Sequence, residues 1–160
     1  MPAATPASWR AIVASSLDWH EAHATFDDAV ADLPQDVRGR RPHQFPHSSW
    51  ELVEHIRRTQ ADILEFCLNP AYKELDWPAD YWPPSAAPPS PSAWEDSVAA
   101  VVRDRHALET LAGDPAIDLF ARIPHGSGQT YLRELLLVAD HTAYHVGQLV
   151  AARQALGAWK

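Results

Sequence analysis

The stretch of sequence that decides the fold is residues 135–150, LLLVADHTAYHVGQLV, in which two histidines, His141 and His145, interrupt an apolar run. On an α-helix, side chains four residues apart lie on the same face, about one turn from each other. Val138 and Leu149 continue that face at the three- or four-residue spacing of a buried stripe. The pattern predicts a helix whose interior face carries two imidazoles, which are good ligands for a divalent transition metal.

Start and stop signals extend the helical prediction along the chain. We expect helices at about residues 6–33, 49–68, 92–112 and 131–156. The start signals are Pro6, the capping boxes Ser48 with Glu51 and Ser92 with Glu95, and the N-cap Thr130, and Gly157 is the predicted terminator of the last helix. Because no alternating β-branched run is bounded by hairpin turns, the predicted fold class is all-α, a four-helix bundle in a single domain.

A long proline-rich segment, residues 70–91, separates the second and third predicted helices. It is too long and too interrupted for a tight helical hairpin, so we predict a crossover that spans the bundle. We expect its aromatic residues, Tyr72, Trp77, Tyr81 and Trp82, to pack against the helices. The alternative is that the segment forms a lid over a pocket.

Composition and charge exclude several classes of function. The chain has 160 residues, of which 46% are apolar, enough for one domain with a sizeable core. A formal net charge of -8 without a basic block argues against nucleic-acid binding. No apolar run approaches the ~20 residues that span a bilayer, and residues 1–6 do not resemble a secretion signal. We therefore expect a cytoplasmic protein without a membrane partner, and the single Cys67 agrees with a reducing compartment.

A third metal ligand must come from outside the His141/His145 pair, because that spacing alone is a weak signal. His55 is the best candidate among the other histidines, since it follows Leu52 by three residues in a helix with a predicted buried face. Three histidines from two helices would leave coordination positions open, as in catalytic metal sites. The alternative is that the three are core histidines whose nitrogens are satisfied by protein oxygens.

Three segments carry a family resemblance. Residues 47–55 (HSSWELVEH), 81–83 (YWP) and 141–148 (HTAYHVGQ) resemble the DinB-like (DNA-damage-inducible) superfamily of metal-binding bundles, and the similarity covers nearly the whole chain. The resemblance implies that one histidine of the second helix and two of the fourth bind a divalent metal, usually zinc or nickel. These fall on His55, His141 and His145. It also implies an up-down-down-up bundle and a homodimer.

The chemistry that this family resemblance implies is a metal-dependent reaction on a small molecule. Some relatives resemble transferases or isomerases that use the metal to activate a low-molecular-weight thiol, and others resemble hydrolases. We therefore expect a thiol-dependent transferase or a hydrolase, with the thiol as a co-substrate in the first case. The alternative is a non-catalytic metal-binding protein of stress response or interaction. Thr142 stands where a zincin protease needs glutamate, and the paired Glu-x-x-His motifs of di-iron bundles do not occur.

Other polar residues near the triad have two interpretations each. Gln148 follows His145 by three residues and can contact a ligand or substrate, or only pack between helices. Glu51 can support His55, although its place in a capping box already explains it. Tyr144 is a candidate proton donor, but it is turned about 100° from His145. The remaining candidate histidines are predicted to lie in the solvent: His20, His23, His43, His47 and His125.

Overall fold

The computed structural model describes residues 6–159, and their regular structure is helical. The α-helices are α1 (Pro6–Ser16), α2 (Phe26–Val30), α3 (Ser49–Leu68), α4 (Ala93–Gly113) and α5 (Tyr131–Ala155). Two 3-10 turns lie at Gln35–Val37 and Ala79–Tyr81, and a single antiparallel bridge joins Arg122 to Thr130. The all-α prediction is confirmed for this part of the chain, while the up-down-down-up order stays a prediction. None of these helices has the length and apolar character needed to cross a membrane.

The prediction of one continuous first helix is wrong. Instead of one helix over residues 6–33, α1 ends at Ser16 and α2 begins at Phe26. The reason is a second capping box: the Thr25 hydroxyl accepts from the Asp28 amide at 3.1 Å, and the Asp28 carboxylate accepts from the Thr25 amide at 2.9 Å. This reciprocal pair satisfies the amides of a new helix start and therefore favours the break.

A buried arginine of α4 holds the segment between α1 and α2 in place. Arg105 is 5% exposed, and its Nη1 lies 3.0 Å from a carboxylate oxygen of Asp18. Its Nη2 donates to the Asp27 carboxylate at 2.9 Å. A buried guanidinium needs such anionic partners. The two aspartates on either side of the break are thus tied to α4.

The starts of α3 and α5 follow the sequence signals. Ser48 Oγ accepts from the Glu51 amide at 3.2 Å, and the Glu51 carboxylate accepts from the Ser48 amide at 2.8 Å. At the start of α5, Thr130 Oγ1 accepts from the Arg133 amide at 3.2 Å. Gly157 has the left-handed φ of +68° that lets the chain leave α5.

The predicted capping box at the start of α4 does not form. Ser92 makes no side-chain cap, and Ser90 Oγ instead accepts from the Ala93 amide at 3.2 Å. The Glu95 carboxylate accepts from Arg38 at 2.8 Å. Glu95 thus pairs with a residue distant in sequence, and the local capping hydrogen bonds are not made.

The core consists of two apolar clusters that meet along α3 and α5. The first includes Leu52, Ile56 and Val146, and the second includes Ile63 and Val138. His55 of α3 and His141 and His145 of α5 therefore lie where the two clusters adjoin. Cys67 belongs to the second cluster, is 4% exposed, and has a pKa raised to about 12 by burial, so it is a core thiol and not a nucleophile.

The connection between α3 and α4 lies partly against α3. The hydroxyls of Tyr72 and Tyr81 both donate to the Asp62 carboxylate, at 2.9 and 2.7 Å. Trp82 is half-buried, as expected for packing against a helix. Trp77 differs from the prediction, because it is 71% exposed. The aromatic residues at 81 and 82 thus reach α3 next to His55.

Candidate metal centre

Three histidines from two helices come together at the junction of the core clusters. One ring nitrogen of each of His55, His141 and His145 lies within 4.8 Å of the other two. The ring centroids are 4.4 to 4.8 Å apart. His55 and His145 are buried, and His141 is half-buried. These positions bring together the three predicted ligand residues, and the group could hold a metal ion.

The hydrogen bonds at the outer nitrogens fix two of the tautomers. His55 Nδ1 lies 2.9 Å from the carbonyl oxygen of Tyr81, and His145 Nδ1 lies 2.8 Å from Oε1 of Gln148. Both oxygens only accept, so each Nδ1 must carry the proton and donate. The Nε2 lone pairs of His55 and His145 are therefore free to bind an electrophile. Outer-nitrogen bonds of this kind orient metal-ligating histidines.

The spacing of one pair of inner nitrogens is close to that around a metal. Nε2 of His55 lies 3.0 Å from Nε2 of His141. Tetrahedral zinc with bonds of 2.0–2.1 Å holds its ligand nitrogens about 3.3 Å apart, close to this distance. Two lone pairs facing each other at 3.0 Å repel unless a proton or a cation lies between them. The donor set, neutral imidazole nitrogen, suits zinc, copper, iron or nickel.

The electrostatics of the site keep the imidazoles neutral. Burial lowers the pKa of His141 to about 3, and the neighbouring His145 and His55 add to the effect. Burial likewise lowers the pKa of His145 to about 4, although the Gln148 oxygen opposes the shift. The pKa of His55 is also lowered by burial, against the opposing bond to Tyr81. Neutral imidazole is the form that binds metals, so the triad is ready for a cation at neutral pH.

A stack of three rings forms one wall of the site. The indole of Trp82 lies parallel to the His55 ring, with centroids 3.9 Å apart and planes at 3°. On its other side it stacks on His47, at 4.0 Å and 15°. His47 is half-buried, so its prediction as a solvent-exposed loop residue is wrong. Sequence analysis also missed the contact of Trp82 with the triad, and the only signal was the aromatic pair inside the proline-rich segment.

Asp62 supports the site indirectly. It lies seven residues after His55, on the same face of α3. Its carboxylate accepts from the Tyr81 hydroxyl, and the carbonyl of the same tyrosine accepts from His55. Asp62 thus holds the turn that carries the carbonyl bonded to His55. Nothing in the sequence pattern indicates this role, because it depends on where the proline-rich segment docks.

The other candidate residues differ in whether they contact the three histidines. Gln148 contacts the triad through its bond to His145. The Glu51 carboxylate accepts from the Ser48 amide and pairs with Arg41, so its partners lie at the helix start and in the preceding loop and not in the triad. Tyr144 is 64% exposed, with its ring 4.9 Å from that of His145. Four of the histidines predicted to lie in the solvent are exposed: His20, His23, His43 and His125.

The lowered pKa values predict how the metal-free protein responds to acid. The unfolded chain, with histidine pKa values near 6.5, binds protons before the folded chain does, so stability is full above pH 6.5 and falls as the pH drops towards 4. By pH 5 we expect a loss of about 1–2 kcal/mol for each of His141 and His145. Urea unfolding of chelator-treated protein between pH 8 and 5 measures it. His141→Gln should flatten the profile, and an unchanged profile would contradict the assignment.

The Asp62–Tyr81 contact predicts an effect on metal affinity. Tyr81→Phe removes the hydroxyl that anchors the turn and should weaken zinc binding roughly tenfold, because the carbonyl that orients His55 loses its support. Tyr72→Phe is the matched control, since it removes a similar bond to the same Asp62 without touching His55. Competition with a chromophoric chelator gives both affinities. Equal effects of the two variants would show that Asp62 acts only in general stability.

Comparison with known proteins identifies the family of the chain. The family model of the DinB superfamily matches residues 18–149, a range that includes all three histidines. No curated protein and no solved structure shows significant similarity to the chain. Because the matched range covers most of the 160 residues, it confirms the resemblance inferred from the sequence. The chain belongs to the DinB superfamily.

Proposed function

We propose that the protein is a metal-dependent enzyme in which His55, His141 and His145 hold one divalent ion, zinc or nickel. The observation that carries the proposal is the convergence of three neutral imidazoles within 4.8 Å. Three protein ligands leave room in a tetrahedral shell for water or substrate, whereas structural zinc sites usually have four protein ligands. Membership of the DinB superfamily supports the same function.

The proposed reaction is transfer to or from a low-molecular-weight thiol, or hydrolysis, on a small molecule. A bound metal would supply Lewis acidity and lower the pKa of a thiol or water. The protein's own residues position the ligands: the Tyr81 carbonyl and Gln148 Oε1 accept the Nδ1 protons of His55 and His145. The Trp82 ring covers one face of His55 and keeps water from it. The proposal includes a cytoplasmic homodimer.

A second candidate is a non-catalytic metal-binding protein. His55 and His145 are 3% and 7% exposed and join α3 to α5 between two apolar clusters. A metal bound there only in the folded state would stabilise the packing of these helices. The two candidates differ in whether an exogenous molecule can reach the ion.

Metal content tests the ligand assignment. Untagged protein purified without chelators should contain about one zinc or nickel per chain by mass spectrometry, and the His55→Ala/His141→Ala/His145→Ala variant should contain almost none. His43→Ala, which changes an exposed histidine, is the control and should keep its metal. Full metal content in the triple variant would mean that other residues bind the ion.

Cobalt substitution distinguishes the enzyme from the structural site. Co(II) in place of the native ion should develop a thiolate-to-cobalt charge-transfer band when cysteine or glutathione is added, because an open position accepts the sulfur as thiolate. Methionine, whose thioether cannot ionise, is the control. A spectrum that does not respond to thiols or to azide would show a closed site and favour the non-catalytic alternative.

A further inference from the structure

A cavity of about 460 Å³ lies beside the triad, between α3, α5 and the loop before α3. Its walls include Phe45, His47, Leu52, Tyr144, Gly147 and Gln148. No lining side chain is an acid, a lysine or an arginine, and burial lowers the pKa of His47, so its imidazole is neutral at pH 7. The cavity is therefore large enough for a small molecule and has no charged wall.

One wall of this cavity contacts a histidine of the triad directly, and a second does so through Trp82. Gln148 lines the cavity and accepts the Nδ1 proton of His145 at 2.8 Å. His47 lines the opposite side and stacks on Trp82, which in turn stacks on His55. A molecule held in the cavity would thus lie on the Nδ1 side of His145, separated from that ring by the Gln148 side chain.

Gly147 is the feature that points to a ligand. It lies inside α5, where glycine is destabilising compared with alanine. Packing gives no reason for it: a Cβ built on Gly147 meets no heavy atom of the described residues within 4 Å, outside its own helix backbone and chain neighbours. Gly147 is exposed and lines the cavity, so the missing side chain leaves room at the cavity wall at the expense of the helix.

We propose that this cavity binds an uncharged, flat apolar part of the substrate, and that Gly147 sets the size of group it accepts. The rings of Phe45 and Tyr144 offer apolar surface. The Gln148 amide, whose oxygen is taken by His145, still has N–H groups that can donate to a neutral acceptor such as a carbonyl. A carboxylate or an ammonium would find no oppositely charged side chain in this lining. This inference rests on the proposed function, since binding a non-reacting part of the substrate assists the chemistry at the metal.

Three probes of the same shape test the charge preference. Benzamide is neutral, benzoate is anionic and benzylamine is cationic, and each is titrated into metal-loaded protein and followed by amide NMR shifts. We expect benzamide to shift the backbone amides of residues 44, 45, 47 and 147–151 in a saturable manner, with at least about tenfold weaker binding of the two ions. Binding of benzoate or benzylamine as tight as that of benzamide, or the lack of any saturable shift, would overturn the proposal.

Gly147→Leu tests the size determinant by filling the cavity. The variant should lose benzamide binding while its melting temperature stays equal or rises, because a leucine in a helix is more favourable than a glycine. Gly113→Leu is the matched control: it is also a helical glycine with nothing within 4 Å of a Cβ, but it lies at the end of α4, away from the cavity lining. Unchanged benzamide binding in Gly147→Leu would refute the role of this residue.

The metal content of the same samples separates this inference from the proposed function. Gly147→Leu should keep one metal per chain, because the substitution does not change a ligand. If wild-type protein contained no metal but still bound benzamide through the cavity, the enzyme proposal would fail while the binding site remained. If Gly147→Leu instead lost both its metal and its benzamide binding, the cavity would not be an independent site.

Discussion

The candidate metal centre depends on the position of three neutral imidazoles at the junction of two apolar clusters. A polar nitrogen in such a place must find a partner, and each ring has two nitrogens to satisfy. The outer nitrogens of His55 and His145 donate to Tyr81 and Gln148. The inner nitrogens converge, which is unfavourable for bare lone pairs and favourable around a cation. The packing of α3 on α5 thus brings together nitrogens that a shared proton or a bound cation would satisfy in an otherwise apolar region.

The proline-rich connection completes the site, although it contributes no ligand. Its Tyr81 carbonyl orients one histidine, and its Trp82 ring covers the same histidine. The segment is itself held to α3 by two tyrosine hydroxyls on one carboxylate, that of Asp62. Functional residues often lie on loops that a rigid scaffold positions. Here the scaffold is α3, which supplies both the histidine and the anchor of the loop that supports it.

The sequence predicts the features that depend on residues close together in the chain, and it misses those that depend on residues far apart. The pair in α5 and the helix start at Ser48 are local patterns, and periodicity or a capping box identifies them. The break between α1 and α2 was missed because Thr25 and Asp28 were not recognised as a capping box, and because Arg105 stabilises the break from a distant helix. The stack of His47 on Trp82 had no local signal at all, since it depends on how two loops meet.

The separation of the ligands along the chain has a consequence for biosynthesis. His55 and His141 are 86 residues apart, so a ribosome-bound chain has made α3 and α4 long before α5 appears. Until then His55 has no partner on another helix, and an early ion would meet only one imidazole. Long-range contacts of this kind form late, after the loops between them have closed. A metal bound by this triad would therefore be captured only after α5 has been made, and it would mark the chains whose helices have assembled.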